Sequence, residues 1–398
     1  MAEHGIVTRS EKPPTALVRP LAQHAEWHWA TQQAQTILNS RELGVILRFY
    51  RSVHGLNQTD LGALLGYDKT YVSALELGKR HIDDIGSLRH ICAQMHLPPH
   101  VLGITDPADA DHRAMIQFGA STVRLAEIAR QSGHASEAVS ELWPLVARLE
   151  ARLEEGRGER EVLHLLGRAR IGLGVALGNV LPEERLGTAA HWTLKGWALA
   201  EYADDTQFTG YALRMHGNEL RKAGLRGAAV DRLCRAVALA PDDTARAAAL
   251  PLLARAAGAM HNARLFDEAI RQSDDLLDTV QHTSLFNPFA LHEIRLRGLA
   301  DTDRVTVAIR LIEDSPTPTL AVAPQWRVIE LITVAGIMLA AHDVRGATTA
   351  LDSAVGEATV QRLPHQLQRI MRTAGSRLPE VHGAAELALE RLRGEMAA

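Results

Sequence analysis

The sequence is poor in cysteine and in net charge. Cys92 and Cys234 are the only cysteines in 398 residues, which argues against a disulfide framework and a cysteine-based zinc site and suits a reducing cytoplasm. A formal charge of −4 excludes a generally basic coat for nucleic acid. No apolar run is long enough to span a membrane, and residues 1–15 lack the apolar segment of a secretory signal. We therefore expect a soluble cytoplasmic protein with no membrane partner.

Motifs of the common enzyme classes are also missing. The sequence has no phosphate-binding G-x-x-x-x-G-K-(S/T) loop, no nucleophile elbow and no H-E-x-x-H zinc motif. Gly172, Gly174 and Gly178 resemble a nucleotide-binding loop, but their spacing differs and no strand precedes them, so helix packing explains them better. His24 and His28 lie one helical turn apart, yet two histidines without a third ligand make a poor zinc site. We predict a protein that is not an enzyme and that holds no metal or cofactor.

What the sequence has instead is helical periodicity. Hydrophobic residues make up 46% of the chain and aromatic residues only 4%, which suits helices packed through alanine and leucine. From about His112 onward, apolar residues recur at helical spacing and no strand pattern occurs. The length exceeds that of a usual single domain. The sequence thus predicts an all-α protein of two or more domains, and its Ala- and Arg-rich composition suggests a bacterial source.

Two short helices joined by a tight turn are predicted by the stretch QTDLGALLGYDKTYVSALEL. Its spacing places one apolar face on each helix. The side chains expected inside are Leu61, Leu65, Tyr67, Val72 and Leu75. Gly62 lies where the helices cross and a side chain would hold them apart, and Gly66 supplies the positive φ that the turn requires. Asn57 and Asp60 form a capping-box-like start to the first helix, and Asp68 can cap the second.

This pattern resembles the helix-turn-helix of the Xre or lambda-repressor-like family, from about Leu43 to Leu102. The family has an arginine-bearing first helix, then G-L-x-Q, L-small-x-x-L-G and E-x-G-(K/R)-R. These are matched here by Arg48 and Arg51, by Gly55 to Gln58, by Leu61 to Gly66 and by Glu76 to Arg80. Asn57 replaces the common Thr, and the Pro that often follows the basic pair is missing. The resemblance implies a five-helix DNA-binding domain over residues 41–104.

The resemblance and the apolar face together indicate which side chains would meet DNA. Val72 and Leu75 point inward. The candidates for base edges in a major groove are Lys69, Thr70, Ser73 and Ala74. The candidates for phosphate contacts are Gln58, Tyr71, Lys79 and Arg80; family members also use the residue matching Gln58 to hold a side chain of the recognition helix. In the family, the residues matching Arg51 and Glu76 form an ion pair that orients this helix. The alternative is that the fold serves protein contacts only.

The segments around this domain carry weaker signals. Residues 1–20 are proline-containing and polar, which predicts disorder, and residues 21–40 predict an accessory helix that packs Trp27 and Trp29 on the domain or on a partner subunit. Residues 105–111, TDPADAD, are acidic and lack apolar anchors, which is typical of a linker. Between Arg41 and Ile104, seven Lys/Arg face six Asp/Glu. Because so balanced a domain attracts DNA weakly, we expect a homodimer that binds two half-sites.

The rest of the chain, residues 112–398, is repetitive. A small residue recurs at intervals of 39, 40, 39 and 39 residues, and an apolar residue follows four positions later in every copy except that of Ala269, whose followers are weaker. The small residues are Ala190, Ala229, Ala269, Ala308 and Ala347, with Ala138 before them and Ala385 after them. The best copy has Gly217 in its first helix and Pro241 after its second. The unit resembles the tetratricopeptide repeat, which implies an α-solenoid of about six helix pairs stacked around a groove.

The groove is the predicted ligand site. In peptide-binding tetratricopeptide domains, an Asn just after the motif Gly grips the peptide. Asn179 and Asn218 match that position here. Arg214 lies one turn before Asn218, and Arg255 and Arg297 fall in other first helices, so a short peptide with an acidic group would suit the lining. The alternative is that these are ordinary polar residues on solvated helix faces.

Together these features predict a DNA-binding transcription regulator with a tetratricopeptide-like domain that dimerises and senses a peptide or small molecule, similar in arrangement to the quorum-sensing peptide receptors. Such a protein would be cytoplasmic and would associate with the nucleoid when bound to double-stranded DNA. The alternative is an adaptor that docks another protein through its repeats, uses the small domain as a tether and has no diffusible effector.

Overall fold

The computed structural model of the protein is all-α, as the sequence predicts. It describes residues 25–104, 107–154, 158–314 and 323–397, and none of these lies in a strand. The predicted disorder of residues 1–20 falls outside them. The chain forms two compact units. The first comprises Met1–Ile116, Leu149–His164 and Glu201–Asp204, and the second comprises Gln117–Arg148, Leu165–Ala200 and Asp205–Ala398.

The first unit contains the helices that resemble a helix-turn-helix domain. They are a 3₁₀ helix at Ala25–Ala30, α1 (Gln32–Ser40), α2 (Leu43–His54), α3 (Gln58–Leu65), α4 (Lys69–Glu76), α5 (Ile85–Met95) and a 3₁₀ helix at Pro99–Leu102. The predicted helix over 21–40 is therefore interrupted where it is described. Thr31 causes the break, because its hydroxyl accepts from the N–H of Ala34 and so caps α1.

One apolar core holds these helices together. Its fully buried members include Trp29, Ile46, Leu61, Val72 and Met95. The indole N–H of Trp29 donates to the carbonyl of Met95 over 2.8 Å, so the aromatic ring is buried with its one polar atom satisfied. The segment before α1 is thus part of the core of this unit and not a free extension.

The turn between α3 and α4 has the predicted geometry. Gly66 adopts a φ of 73°, a left-handed conformation that a glycine reaches without strain. The capping box of Asn57 and Asp60 is present at the start of α3, and the Asp68 carboxylate accepts from the N–H of Tyr71 at the start of α4. These caps satisfy backbone donors that the two short helices could not satisfy themselves.

The remaining chain is a series of antiparallel helices. In order they are α6 (Pro107–Gln131), α7 (Ala135–Glu154), α8 (Arg160–Val180), α9 (Leu186–Tyr202), α10 (Thr206–Lys222), α11 (Arg226–Ala238), α12 (Asp243–Ala259), α13 (Ala263–Leu277), α14 (Pro288–Asp301), α15 (Val305–Asp314), α16 (Pro324–Ala340), α17 (Val344–Val360), α18 (Pro364–Ala374) and α19 (Pro379–Ala397). Helix α6 begins inside the stretch predicted to be a linker. In the described part of the chain, no helix has the length and apolar content that a membrane span needs.

The repeat in the sequence follows from contacts between paired helices. From α8 to α19, each even-numbered helix is the first of a pair and each odd-numbered helix the second. The small residue that marks the period lies on the second helix and is at most 4% exposed in every copy. On the first helix, a Cβ added to Gly217 would lie 2.7 Å from Cγ of Leu233. Close approach of the two helices therefore selects small residues at a fixed period.

Glycines of α8 also serve helix packing. A Cβ on Gly174 would lie 2.8 Å from the carbonyl oxygen of Ala189 and 2.9 Å from the backbone nitrogen of Thr193. Since both are backbone atoms of α9, the two helices could not approach so closely with any larger residue at this position. The glycines that resemble a nucleotide-binding loop lie inside a helix.

Candidate DNA-reading helix and ligand cavity

Burial of one face of α4 in the core determines which of its side chains face solvent. Val72 and Leu75 are fully buried in the core, whereas Lys69 and Thr70 are exposed. Ser73 and Ala74 are half-buried. The first turn of α4 therefore presents a cation and a hydroxyl to solvent, both of which can bond to base edges or phosphates.

A buried carboxylate fixes the other end of α4. Glu76 is 4% exposed. It accepts from Nε of Arg51 over 2.9 Å and from Nη2 over 3.3 Å, and from Nε2 of Gln58 over 2.8 Å. Arg48 donates to the backbone carbonyl of the same residue. Helices α2, α3 and α4 thus meet at Glu76, and the amide nitrogen of Gln58 is engaged within the protein.

The contacts of Arg51 and Glu76 favour the charged form of both side chains. Burial by itself raises the pKa of Glu76, but the hydrogen bonds from Arg51 and Gln58, together with the charges of Arg51 and Arg48, outweigh it and lower the pKa. The hydrogen bond with Glu76 raises the pKa of Arg51. Each partner therefore favours the charged form of the other.

Two glycines allow the helices of this unit to approach. A Cβ on Gly62 would collide with the backbone oxygen of Tyr67 in the turn. A Cβ on Gly44, in α2, would lie 2.5 Å from the backbone oxygen of Leu75. The sequence analysis did not identify Gly44. A glycine near the start of a helix carries no local sequence signal that shows whether it is needed for close packing against another helix.

Two basic residues, Lys79 and Arg80, follow α4, and Arg80 lies beside the Tyr71 ring of that helix. Lys79 and Arg80 are exposed, and the guanidinium carbon of Arg80 lies 5.3 Å from the centre of the Tyr71 ring. The backbone N–H of Lys79 donates to the carbonyl of Ala74 over 2.9 Å, which fixes the chain where it leaves the helix. Tyr71 is half-buried, so its ring positions Arg80 by a cation–π contact.

The second unit contains a cavity of about 580 Å³. Most of its lining comes from the first helices of successive pairs, α8 to α18, with additional side chains from α6, α9 and α11. Four of the five predicted ligand residues lie there, namely Asn179, Asn218, Arg255 and Arg297. Arg214 does not. It lines a separate cavity of about 750 Å³, together with Glu127, Arg168 and Tyr211.

The cavity is strongly cationic. Among the described residues that line it, the cations are Arg130, Arg221, Lys222, Arg226, Arg255, Arg297, Arg369 and Arg372, and Glu183 is the one carboxylate. Six of these cations were not predicted as ligand residues. Arg221 lies one turn after Asn218, which the sequence could have shown. Arg369 comes from α18, far along the chain, and only the stacked repeats bring it to the same wall.

Both predicted asparagines have partners inside the protein. Lys222 donates to the side-chain oxygen of Asn179 and to the carbonyl of Gly178, each over 3.2 Å. Arg221 donates to the side-chain oxygen of Asn218 over 3.0 Å. The asparagines therefore orient cations of α10 along the wall, and their own amide oxygens are not free for a ligand.

A set of ionic contacts closes one side of the cavity. The turn before α9 carries Glu183 and Glu184. Arg372 donates twice to Glu183, once over 2.8 Å, and Gln368 accepts from the backbone N–H of Glu183 over 2.7 Å. Arg393 donates to Glu184. The partners in these contacts are between 185 and 209 positions apart in sequence, so the contacts join an early repeat to the last one.

No group of three or more metal-ligating side chains occurs among the residues that the structure describes. His24 lies outside that part of the chain, and so does the side chain of Trp27. His28 is buried beside His54, with 3.2 Å between Nδ1 and Nε2 of the two rings. Cys92 is buried and Cys234 is exposed, and neither forms a disulfide.

No protein-family model matches the chain, and no curated protein matches it. Among solved structures, it is similar to Bacillus thuringiensis PlcR in complex with the peptide PapR7 and DNA. The identity is 14% and the TM-score 0.33, and the similarity covers 69% of this chain and 95% of that one.

Proposed function

We propose that the protein is a bacterial transcription regulator that binds double-stranded DNA through α4 as a homodimer and senses a peptide or small molecule in the cavity of its repeats. It acts in the cytoplasm, on the nucleoid when bound to DNA. The observation that carries the proposal is the first turn of α4. Lys69 and Thr70 are exposed there, while the Glu76 network holds the other end of the helix against α2 and α3.

This arrangement suits the reading of base edges. A recognition helix enters the major groove with its N-terminal residues foremost, and specificity requires those residues to be both free and rigidly held. Gln58, Tyr71, Ser73, Ala74, Lys79 and Arg80 complete the proposed surface, with Lys79 and Arg80 as phosphate contacts. Arg51, Gly62, Gly66 and Glu76 shape it without touching DNA.

The test of the proposal is DNA binding by variants of α4. A binding sequence is first selected from random duplex DNA with the full-length protein, and affinities are then measured by fluorescence anisotropy at fixed salt. We expect Lys69→Ala and Thr70→Ala each to weaken binding about 10- to 100-fold, since one base contact contributes about 1–3 kcal/mol. Arg89→Ala, which removes an exposed cation of α5, should change affinity little and serves as the matched control.

The outcomes separate the two candidate functions. If both α4 variants bind DNA with unchanged affinity, Lys69 and Thr70 do not contact base edges. If the wild-type protein selects no sequence at all, the adaptor function is favoured, and the repeats would then dock a protein partner without a diffusible effector.

Dimerisation has a candidate surface on α6. Phe118, Leu125 and Ile128 are exposed apolar side chains on one face of that helix, and a second copy of the chain would bury them. We expect sedimentation to show a dimer, and Leu125→Glu to weaken its association at least tenfold. Val360→Glu, a charge placed at another exposed apolar position, should leave the dimer intact. If both variants and the wild type dimerise with equal affinity, this face of α6 is not the dimer interface.

A further inference from the structure

Three guanidinium groups face the ligand cavity with buried N–H groups that have no hydrogen-bond partner. They are Nε of Arg221, Nε of Arg255 and Nη1 of Arg369. The residues belong to α10, α12 and α18, so three different repeats contribute one each. We propose that this cluster binds a small polyanion, a ligand that carries two or more phosphate or carboxylate groups.

The chemistry of arginine supports this class of ligand. A guanidinium presents its donors in a planar fork that matches the oxygens of a phosphate or carboxylate. A donor removed from water without an acceptor is costly, so evolution rarely retains three of them in one cavity unless an acceptor arrives. Anionic oxygens would satisfy the three donors and neutralise the three charges together.

The carboxylates of the unit compensate the charges of these arginines only in part. Glu183 is engaged by Arg372, Glu219 pairs with Lys222 over 3.0 Å, and the buried Glu293 accepts from the hydroxyl of Thr333 over 2.9 Å. In the described part of the chain, no carboxylate lies within ion-pair distance of Arg221, Arg255 or Arg369. Arg221 and Arg369 donate to neutral groups, the side-chain oxygen of Asn218 and the hydroxyl of Thr333.

The electrostatics of the cavity agree with the geometry. Burial and the charge of Arg297 lower the pKa of Arg255 to about 10 and that of Arg369 to about 9. Burial and the charges of Arg255 and Arg297 lower the pKa of Arg221 well below its ordinary value. Burial, with the charge of Lys222, lowers the pKa of His365 to about 3. The carboxylates of Glu219, Glu293 and Asp301 act in the opposite direction on these arginines, but burial and the repulsion between the positive charges outweigh them. A bound anion would relieve that repulsion.

The size of the cavity limits the ligand. A volume of about 580 Å³ is typical of small-molecule sites. Apolar side chains cover part of the wall, among them Leu285, Trp326 and Ile329, and the guanidinium carbon of Arg255 lies 5.1 Å from the centre of the Trp326 ring. A compact ligand with anionic groups at one end and an uncharged part against Trp326 would fit this lining. The inference specifies the ligand of the sensor in the proposed function.

The experiment is calorimetric titration of the full-length protein with two probes, inorganic tripolyphosphate and citrate, against potassium chloride at equal ionic strength. We expect saturable binding of at least one probe and a higher unfolding temperature in its presence. Binding of tripolyphosphate alone identifies a phosphate ligand, and binding of citrate alone a carboxylate ligand. If neither probe binds beyond the chloride control, the proposal is overturned.

Variants locate the binding. Arg255→Gln and Arg369→Gln should each weaken the affinity for the probe about 10- to 100-fold, since a hydrogen bond to a charged group contributes about 1.5–3 kcal/mol. Arg310→Gln, at an exposed position of α15, is the matched control and should bind like the wild type. Without the probe, Arg255→Gln should unfold at the same temperature as the wild type or higher, because it removes a repelled charge. A purely structural arginine would show the opposite, loss of stability with unchanged affinity, and that result would also overturn the proposal.

The titration needs no DNA, so it separates this inference from the proposed function. A protein that selects no operator but binds tripolyphosphate through Arg255 would contradict the regulator and keep the anion site. A protein that binds its operator but neither probe would keep the regulator and contradict the anion site.

Discussion

Replacement of Glu76 by alanine is expected to lower the free energy of unfolding of the helix-turn-helix region by about 3 kcal/mol, because it removes one partner of a buried charge pair. The loss lies at the low end of the range for such pairs, since the Arg51 side chain is 28% exposed and water can hydrate it. Gln58 would also lose its acceptor. The orientation of α4 against α2 and α3 would no longer be fixed, so DNA affinity should fall together with stability.

Hydrogen exchange of the full-length protein measures this effect locally. Amides of α2, α3 and α4 should exchange faster in Glu76→Ala, while amides of the repeats should not. Glu42→Gln is the matched control, because Glu42 is exposed and makes no side-chain cap to α2. Protection of α4 equal to that of the wild type would show that the network does not hold the helix.

The same network predicts a pH dependence. The pKa of Glu76 is lower in the folded protein than its ordinary value, so ionisation of Glu76 stabilises the fold fully above the unfolded pKa of about 4.3. That contribution is lost as the pH falls through the lower, folded pKa. Unfolding of Glu76→Gln should therefore depend less on pH in this acidic range than unfolding of the wild type. Parallel pH profiles for the two proteins would contradict the assignment.

Gly298→Ala is expected to destabilise the repeats by about 2–3 kcal/mol. A Cβ at this position of α14 would overlap ring carbons of Phe266, a residue of α13 that is 1% exposed and cannot move aside. Gly336 in α16 provides the matched control. The nearest atom to its Cβ would be Cγ2 of Thr373 at 3.9 Å, so Gly336→Ala should stabilise its helix by up to about 1 kcal/mol.

Differential scanning calorimetry of the two variants tests this contrast. The unfolding temperature should fall for Gly298→Ala and stay equal or rise for Gly336→Ala. Because both changes add the same methyl group to a glycine of a first helix, helix propensity acts equally on both. A similar shift in both variants would mean that helix propensity, and not the space beside Phe266, decides the effect.

The local features around α3 and α4 were predictable because they depend on neighbours in sequence. Three features show this: the capping box of Asn57 and Asp60, the cap at Asp68 and the turn at Gly66. Each involves residues only a few positions apart, so the local sequence pattern is enough to predict it. The break at Thr31 could have been recognised as a cap as well. Gly44 could not, because its contact with Leu75 joins residues from different helices.

The lining of the cavity could be predicted from the sequence only in part. The repeat register placed Asn179, Asn218, Arg255 and Arg297 on first helices, and they line one cavity. The same register could not decide that Arg214 faces another cavity, since a rotation of α10 by a fraction of a turn changes which side chains point inward. Nor could it show that Lys222 and Arg221 engage the asparagines.

The sequence by itself determined the helical class, the period of the repeats and the glycine turn before α4, because these follow from short-range periodicity and backbone preferences. Tertiary structure alone decided the burial of Glu76 among three helices, the convergence of Arg221, Arg255 and Arg369, and the contact of Glu183 with Arg372. The physical reason is distance along the chain. Charges from separate helices influence one another only after stacking has brought them together and removed the water between them.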